Sequence, residues 1–179
     1  MSLIDSTYFF GNVSLPNMTD ARRIDVVNYF IGIYEPMFLL KLFGYPLYKA
    51  YTAANADPRF VSIISGVEFT DINGNLAKWN GLVRTNPIKQ SIIANYVWYW
   101  MKRYTSTQTS EVGEFIPIPA EGTQVVSPRK KMASVWNEMK NEVLVLLEYL
   151  DLNPTIYPEF TTYNKNEALK YFDFMNPIF

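Results

Sequence analysis

Lys78-Trp-Asn-Gly-Leu82, then Pro87, then Ile88-Lys-Gln-Ser-Ile-Ile-Ala-Asn-Tyr-Val-Trp-Tyr-Trp100, then Thr105-Ser-Thr-Gln-Thr-Ser110: this run decides how the rest of the chain is arranged. From Pro87 on, Ile88, Ile92, Tyr96, Val97 and Trp100 recur at steps of three and four, which puts them on one helical stripe. Ile93, Trp98 and Tyr99 fill a second face. A helix apolar on two faces has to lie inside a bundle or against a partner subunit, because water cannot cover both.

The composition suits such a centre. The 179 residues are 49% hydrophobic, enough for one core that buries roughly two thirds of the surface of the unfolded chain. Charged residues are 18%, below the roughly 25% usual in soluble domains, while aromatics reach 16%. Little polar material is left to coat a monomer, so some aromatic surface is expected to meet other chains. A net charge of -1 gives no global basic field for nucleic acid or an anionic membrane. The chain has neither cysteine nor histidine, which excludes disulfides, thiolate nucleophiles, Cys or His zinc sites and Ser-His or Cys-His pairs. No cofactor and no enzymatic activity are expected. Residues 1 to 10 lack a basic segment followed by an apolar one, so no signal peptide is read there and a cytoplasmic site of synthesis fits. The most apolar window, Tyr29 to Phe43, is interrupted by Glu35, Pro36 and Lys41 and falls short of roughly 18 unbroken apolar residues, so no membrane span is expected.

Outward from the central run, the chain reads as mainly α: a helical bundle with a small inserted β-hairpin, a long loop between the last two long helices and an extended C-terminal tail. Residues 1–18 form an apolar N-terminal arm, 19–152 the bundle, and 153–179 a C-terminal extension. Thr19 or Asp20 caps a helix with the stripe Ile24, Val27, Ile31 and Tyr34, and Pro36 is expected to kink or break it. Met37 to Phe43 is closed by Gly44, Pro46 restarts a short helix through Tyr51, and Asp57-Pro58 opens another as far as Gly66. Two alternating runs in 67–79 flank Asn73-Gly74, the favoured two-residue hairpin turn. Residues 105–128 make the long loop. Ser127 caps, and Pro128 opens, a last long helix with the stripe Met132, Val135 or Trp136, Met139, Val143, Leu146 or Leu147, and Leu150. Beyond Asn153 the pattern predicts only one or two helical turns, over Lys165 to Phe172.

Candidate chemistry is sparse. Asp71-Ile-Asn-Gly-Asn75 begins like a calcium loop, yet Leu76 and Leu82 stand where the glycine and the bidentate acid belong, so it reads as a turn. Ser127-Pro-Arg-Lys130 has the spacing of a serine acyltransferase motif without its companion motifs, and reads as a helix cap. Arg129, Lys130 and Lys131 crowd the first turn of a helix, where the dipole disfavours cations, and read as either a solvated face or a site for phosphate or an acidic partner. Glu138, Glu142, Glu148 and Asp151 read as a solvated face. The strongest candidates for partner binding are aromatic and apolar residues of the loop and the tail: Phe115, Ile116, Ile118, Tyr157, Phe160, Tyr163, Tyr171, Phe172, Phe174 and Phe179. They either fold back onto the body or dock on neighbours, and docking is the expectation.

Several stretches resemble a known family. Leu3-Ile-Asp-Ser-Thr-Tyr-Phe-Phe-Gly11, Tyr34 to Tyr48, Lys78-Trp-Asn-Gly-Leu82, Ile93 to Trp100 with Thr107-Gln-Thr-Ser-Glu-Val-Gly113, and Met132 to Met139 around Trp136-Asn-Glu138 are similar to small structural proteins of the head and neck of tailed bacteriophages, crAss-like phages among them. The likeness spans most of residues 1 to 150. It implies a head-to-tail connector, or adaptor: a helical subunit of a neck ring between portal and tail, assembled in the host cytoplasm and residing in the virion. The implied partners are copies of itself, the portal protein, other neck or tail proteins and double-stranded DNA passing through the lumen without sequence-specific binding, with no membrane. In that family a C-terminal extension commonly grips the portal or a neighbour, so removing 153–179 is expected to leave a folded body that no longer joins the particle. The alternative is a nucleic-acid-binding accessory protein of phage DNA packaging, using Arg129 to Lys131 with Trp79 or the loop aromatics.

Overall fold

The computed structural model describes residues 2–16, 18–53, 57–105, 108–110, 113–115 and 129–174. They form five α-helices: α1 (Ala21–Ala53), α2 (Arg59–Ser65), α3 (Ile92–Thr105), α4 (Arg129–Leu152) and α5 (Thr162–Phe174). Between them lie three two-stranded antiparallel ladders: β1 (Val67–Thr70) with β2 (Leu76–Trp79), β3 (Val83–Arg84) with β4 (Gln90–Ser91), and β5 (Gln108–Ser110) with β6 (Gly113–Phe115). The chain is mainly helical with an inserted hairpin, as its patterning predicts.

α3 is the axis of the bundle. Ile92, Ile93, Ala94, Tyr96, Val97, Trp98, Tyr99 and Met101 are all buried, with α1 packed along one side, α4 along another and α5 laid across both. The helix starts at Ile92, five residues after the expected Pro87. Ser91 is its cap, its Oγ accepting from the Ile93 N–H at 3.1 Å and donating to the Leu82 carbonyl at 2.7 Å. Ile88 lies outside the helix, exposed, in the connection between β3 and β4. Two-residue strands carry no alternation to read, which is why that small hairpin was not predicted.

Tyr96 touches every other long helix. Its ring lies 5.1 Å from Phe38 and 6.3 Å from Tyr34 on α1, and 6.0 Å from Trp136 on α4. Its hydroxyl shares a hydrogen bond with that of Tyr171 on α5. Burial first, and then that bond, push the Tyr96 phenol well above its ordinary range, so it stays neutral.

α1 passes through Pro36 and breaks instead at Gly44, whose φ of 69° and ψ of 163° leave the helical region. Proline removes one hydrogen bond, to the carbonyl of Gly32. Here both Gly32 and Pro36 face outward, where that carbonyl can be hydrated, so the helix survives. Continuous through Pro36, α1 is long and apolar enough by length and composition alone to cross a membrane; its most apolar window has a mean hydropathy of 1.3, with 44% of it buried in the fold. Its inner residues, among them Phe38, Leu39, Leu42 and Phe43, belong to the common core, the packing of a helix in a bundle. Buried Glu35 faces the N-terminal arm, accepting from the Leu3 N–H at 2.8 Å and the Ser2 hydroxyl at 2.6 Å. The arm is thereby pinned to the body, with its own Ile4, Tyr8, Phe9 and Val13 in the core.

The β1–β2 connection is a five-residue loop, 71–75, in place of the expected two-residue turn. Asp71 organises it: its Oδ1 accepts from the N–H groups of Asn73 at 2.9 Å and Asn75 at 2.7 Å, bonds that hold its carboxyl below the usual range. The Trp79-Asn-Gly-Leu82 run crosses the end of α2 backbone against backbone. A Cβ on Gly81 would lie 2.6 Å from the Ile64 carbonyl oxygen, and Gly81 itself has φ +93°. That approach lets the Leu82 N–H and the Trp79 indole both donate to the Ile63 carbonyl, at 3.1 and 2.9 Å.

Two outcomes follow for chemical denaturation. Tyr96→Ala is expected to cost about 3–5 kcal/mol, whereas Tyr96→Phe, which loses only the hydroxyl bond, costs about 1 kcal/mol. Gly81→Ala is expected to cost about 2 kcal/mol or more, since it adds a backbone clash to a strained φ.

Candidate interaction surfaces

The aromatic tail folds back. After α4 the chain turns through Asn153, whose side-chain amide donates to the Tyr149 carbonyl at 2.8 Å, and α5 begins where Thr161 and Asn164 cap each other. Tyr157, Phe160 and Phe172, expected to dock on a partner, are buried in this chain's own core. The Tyr157 hydroxyl donates to the Arg59 carbonyl at 2.7 Å, and Glu159 pairs with the Arg59 guanidinium through two bonds of 2.9 Å. The carbonyl of Phe172 accepts from the Trp136 indole at 3.2 Å. Tyr171 is half-buried, held by Tyr96 and by the Lys41 ammonium 5.0 Å above its ring, and Tyr163 is exposed. The described part of 153–179 is thus a fifth helix of the bundle, 13 residues long instead of one or two turns. Its aromatics are buried because the groove between α1 and α4 is lined by Phe38 and Trp136, which need an apolar cover. Phe115 ends β6, while Ile116, Ile118 and Phe179, with the side chain of Phe174 and the cap Ser127-Pro128, lie outside the described residues.

Three features of the surface remain. The first is visible in the residue spacing: Val26, Tyr29, Ile33, Met37 and Leu40, at steps of three, four, four and three, form a second stripe on α1, opposite the buried one. They are between 38% and 64% exposed. From Val26 to Leu40 the only charged residue is Glu35, which points inward to the arm. An uncharged face about 21 Å long, by the rise of a helix, lies open on α1.

A second feature is a cleft of about 680 Å³ between the N-terminal arm, the strands β2 to β4 and α4, with Asn95 of α3 lining it. Its acids are engaged by neighbours: Asn80 donates to Glu142 at 3.2 Å, Arg84 lies 3.6 Å from the same carboxylate, and Asn12 donates to Glu138 at 3.4 Å. The cleft is a polar seam joining the hairpins to the bundle.

The third is electrostatic. α1 and α4 both run antiparallel to α3. Phe30, Tyr34 and Phe38 meet Tyr104, Trp100 and Tyr96 in turn. On the other side Lys131 meets Trp98 and Trp136 meets Tyr99, while Asn141 and Val145 share the cleft with Asn95 and Ile92. The starts of α1 and α4 and the finish of α3 therefore share one end of the bundle. That end gathers Arg22 and Arg23, Lys102 and Arg103, and the Arg129-Lys-Lys131 run. Trp79, considered in the sequence as a stacking platform for nucleic acid, is wholly buried.

Among the described residues no three His, Cys, Asp or Glu side chains stand together as metal ligands. Deleting 153–179, expected from the sequence to spare the body, instead strips Tyr157, Phe160 and Phe172 from the core; a loss of at least about 5 kcal/mol, enough to unfold many domains, is expected by circular dichroism and thermal melting. No protein-family model, no curated protein and no solved structure matches this chain.

Proposed function

We propose that this chain is a structural subunit of a tailed-phage neck, a head-to-tail connector that works by assembling into a ring between portal and tail, with no bond made or broken. The observation that carries the reading is the uncharged outward face of α1. Five apolar side chains in a line, with no charge among them, are what a subunit interface requires and what a solitary surface helix avoids. The position of that face supports a ring in particular. With α3 between α1 and α4, the outer sides of the two flanking helices point away from each other, so a copy that met the α1 face through its α4 side would leave its own α1 face open for the next. Such head-to-tail contacts close into rings when the rotation between copies permits. The resemblance of residues 1 to 150 to phage neck proteins supplies the partners: copies of itself, the portal, and further neck or tail proteins, at the head-tail junction of the virion after assembly in the host cytoplasm. The docking surface is assigned to α1 in place of the C-terminal aromatics, because these are already engaged inside the fold.

The test is an Ile33→Glu/Met37→Glu variant, compared with the wild type by light scattering and by electron microscopy with the portal protein. Both substitutions lie on the exposed face and are expected to leave the melting temperature within a few degrees. The wild type is expected to form rings, alone or on the portal, and the variant to stay monomeric. A wild type that remains monomeric and ignores the portal overturns the proposal, as does a variant that assembles normally.

A further inference from the structure

Seven of the sixteen lysines and arginines of this nearly neutral chain stand at one end of the bundle. The helix ends that meet there, residues 20–25, 98–105 and 129–134, bring only Asp20 and Asp25 as acids. Asp20 is occupied as a cap, its Oδ1 accepting from the Arg22 N–H at 3.0 Å. Among the described residues no carboxylate pairs with Arg22, Arg23, Lys130 or Lys131.

The cations are crowded as well as numerous. The ammonium groups of Lys102 and Lys131 both lie over the ring of Trp98, at 5.8 and 5.4 Å from its centroid, and the Arg103 guanidinium lies 5.1 Å from Trp100. Burial, and then the like charges of Lys131 and Arg23, draw the Lys102 ammonium below its ordinary range. The indole N–H of Trp98 is buried there with no acceptor among the described residues. α1 and α4 also direct the positive ends of their dipoles to this end of the molecule. Crowding of like charges costs free energy that an anion would relieve, and cations at the first turn of α4 run against the helix dipole for the same gain.

We infer that this end of the bundle is a binding surface for the phosphate backbone of nucleic acid. The breadth of the array selects a polymer over a single ion: three helices packed at about 8–10 Å spread the cations over about 20 Å, the length of several consecutive phosphates along a strand. The Trp98 indole lies buried beneath the ammonium groups of Lys102 and Lys131 and Trp100 is half-buried, so they hold the charges in place instead of reading bases. The contact is therefore with backbone, and sequence-independent. Arg22, Arg23, Lys130 and Lys131 carry the inference. It does not rest on the ring reading, because it uses a different surface.

The test uses the full chain and a 30-base-pair duplex, with fluorescence anisotropy at a series of salt concentrations. The wild type is expected to bind with log K falling against log salt at a slope of roughly -3 to -4, four phosphates at about 0.9 each. An Arg22→Gln/Arg23→Gln/Lys130→Gln/Lys131→Gln variant is expected to lose at least tenfold in affinity and most of that slope, with its circular dichroism unchanged. Should the fourfold variant fold poorly, Arg22→Gln/Arg23→Gln alone is expected to shallow the slope by about two. A control change of Lys49 and Lys78 to Gln leaves binding intact. No binding at 50 mM salt, a slope unaltered in the variants, or stronger retention on vesicles of anionic lipid than on the duplex overturns the inference. Ile33→Glu/Met37→Glu keeps DNA binding if only the assembly reading fails, and the basic-end variants keep assembly if only this inference fails.

Discussion

Everything in this fold depends on surrounding one short helix on all sides. α3 is 14 residues long and lies inside the bundle, which leaves it nothing to offer water over most of its length. Tyr96 is the point at which the surrounding helices are tied together, since its ring is shared by α1 and α4 while its hydroxyl reaches α5. A phenol suits the place for a physical reason: its ring packs like a hydrophobe, and its single polar atom, once buried, needs a partner that only one geometry supplies. α5 is therefore held at a fixed rotation by Tyr171, with Trp136 donating to the Phe172 carbonyl as a second fastening. Polar groups in this core specify arrangement, and aromatic area supplies most of the favourable free energy.

Enclosing α3 sets the demands on α1. A helix that packs inward on α3 and α5 needs one apolar stripe, and α1 has it. It carries a second, outward stripe that the chain itself does not cover. The two stripes together make the helix nearly uniform around its circumference, which is also why it has the composition of a membrane-crossing segment. The packing of its inner side against the core shows what the first stripe does. The outer one is the surplus on which the assembly reading stands.

Elements with strong periodicity were legible in the sequence. The α4 stripe from Met132 to Leu150 is buried residue for residue, and both members of each alternative pair, Val135 with Trp136 and Leu146 with Leu147, are inside. The hairpin 67–79 was legible from its alternation, and Gly44 from its place after an apolar run. What could not be read is what depends on distant partners. Pro36 is harmless because of which side of α1 faces out, and the start of α3 is set by Ser91 bonding back to Leu82. The tail was the largest miss. Aromatics punctuated by prolines at a terminus look alike whether they bury at home or abroad, and the difference lies in a groove between α1 and α4 that no local pattern describes. The outward stripe of α1 is present in the residue spacing, but spacing alone does not tell which of two apolar stripes the bundle covers and which it leaves open.

Net charge was the least informative quantity of all. A total of -1 suggested no field, yet it is the sum of an end rich in arginine and lysine and a remainder in which acids outnumber bases. Antiparallel packing produces that separation, because it brings the start of α1, the start of α4 and the finish of α3 to one place, and each of those three segments carries at least two arginines or lysines. Segments about 30 and 80 residues apart in sequence thereby act as a single array. The uncharged side of α1 and this charged end are separate in composition and in what they can hold. A subunit that packed against its copies through the first would still have the second free for a polyanion. The two surfaces can therefore work together, and each can be removed without the other.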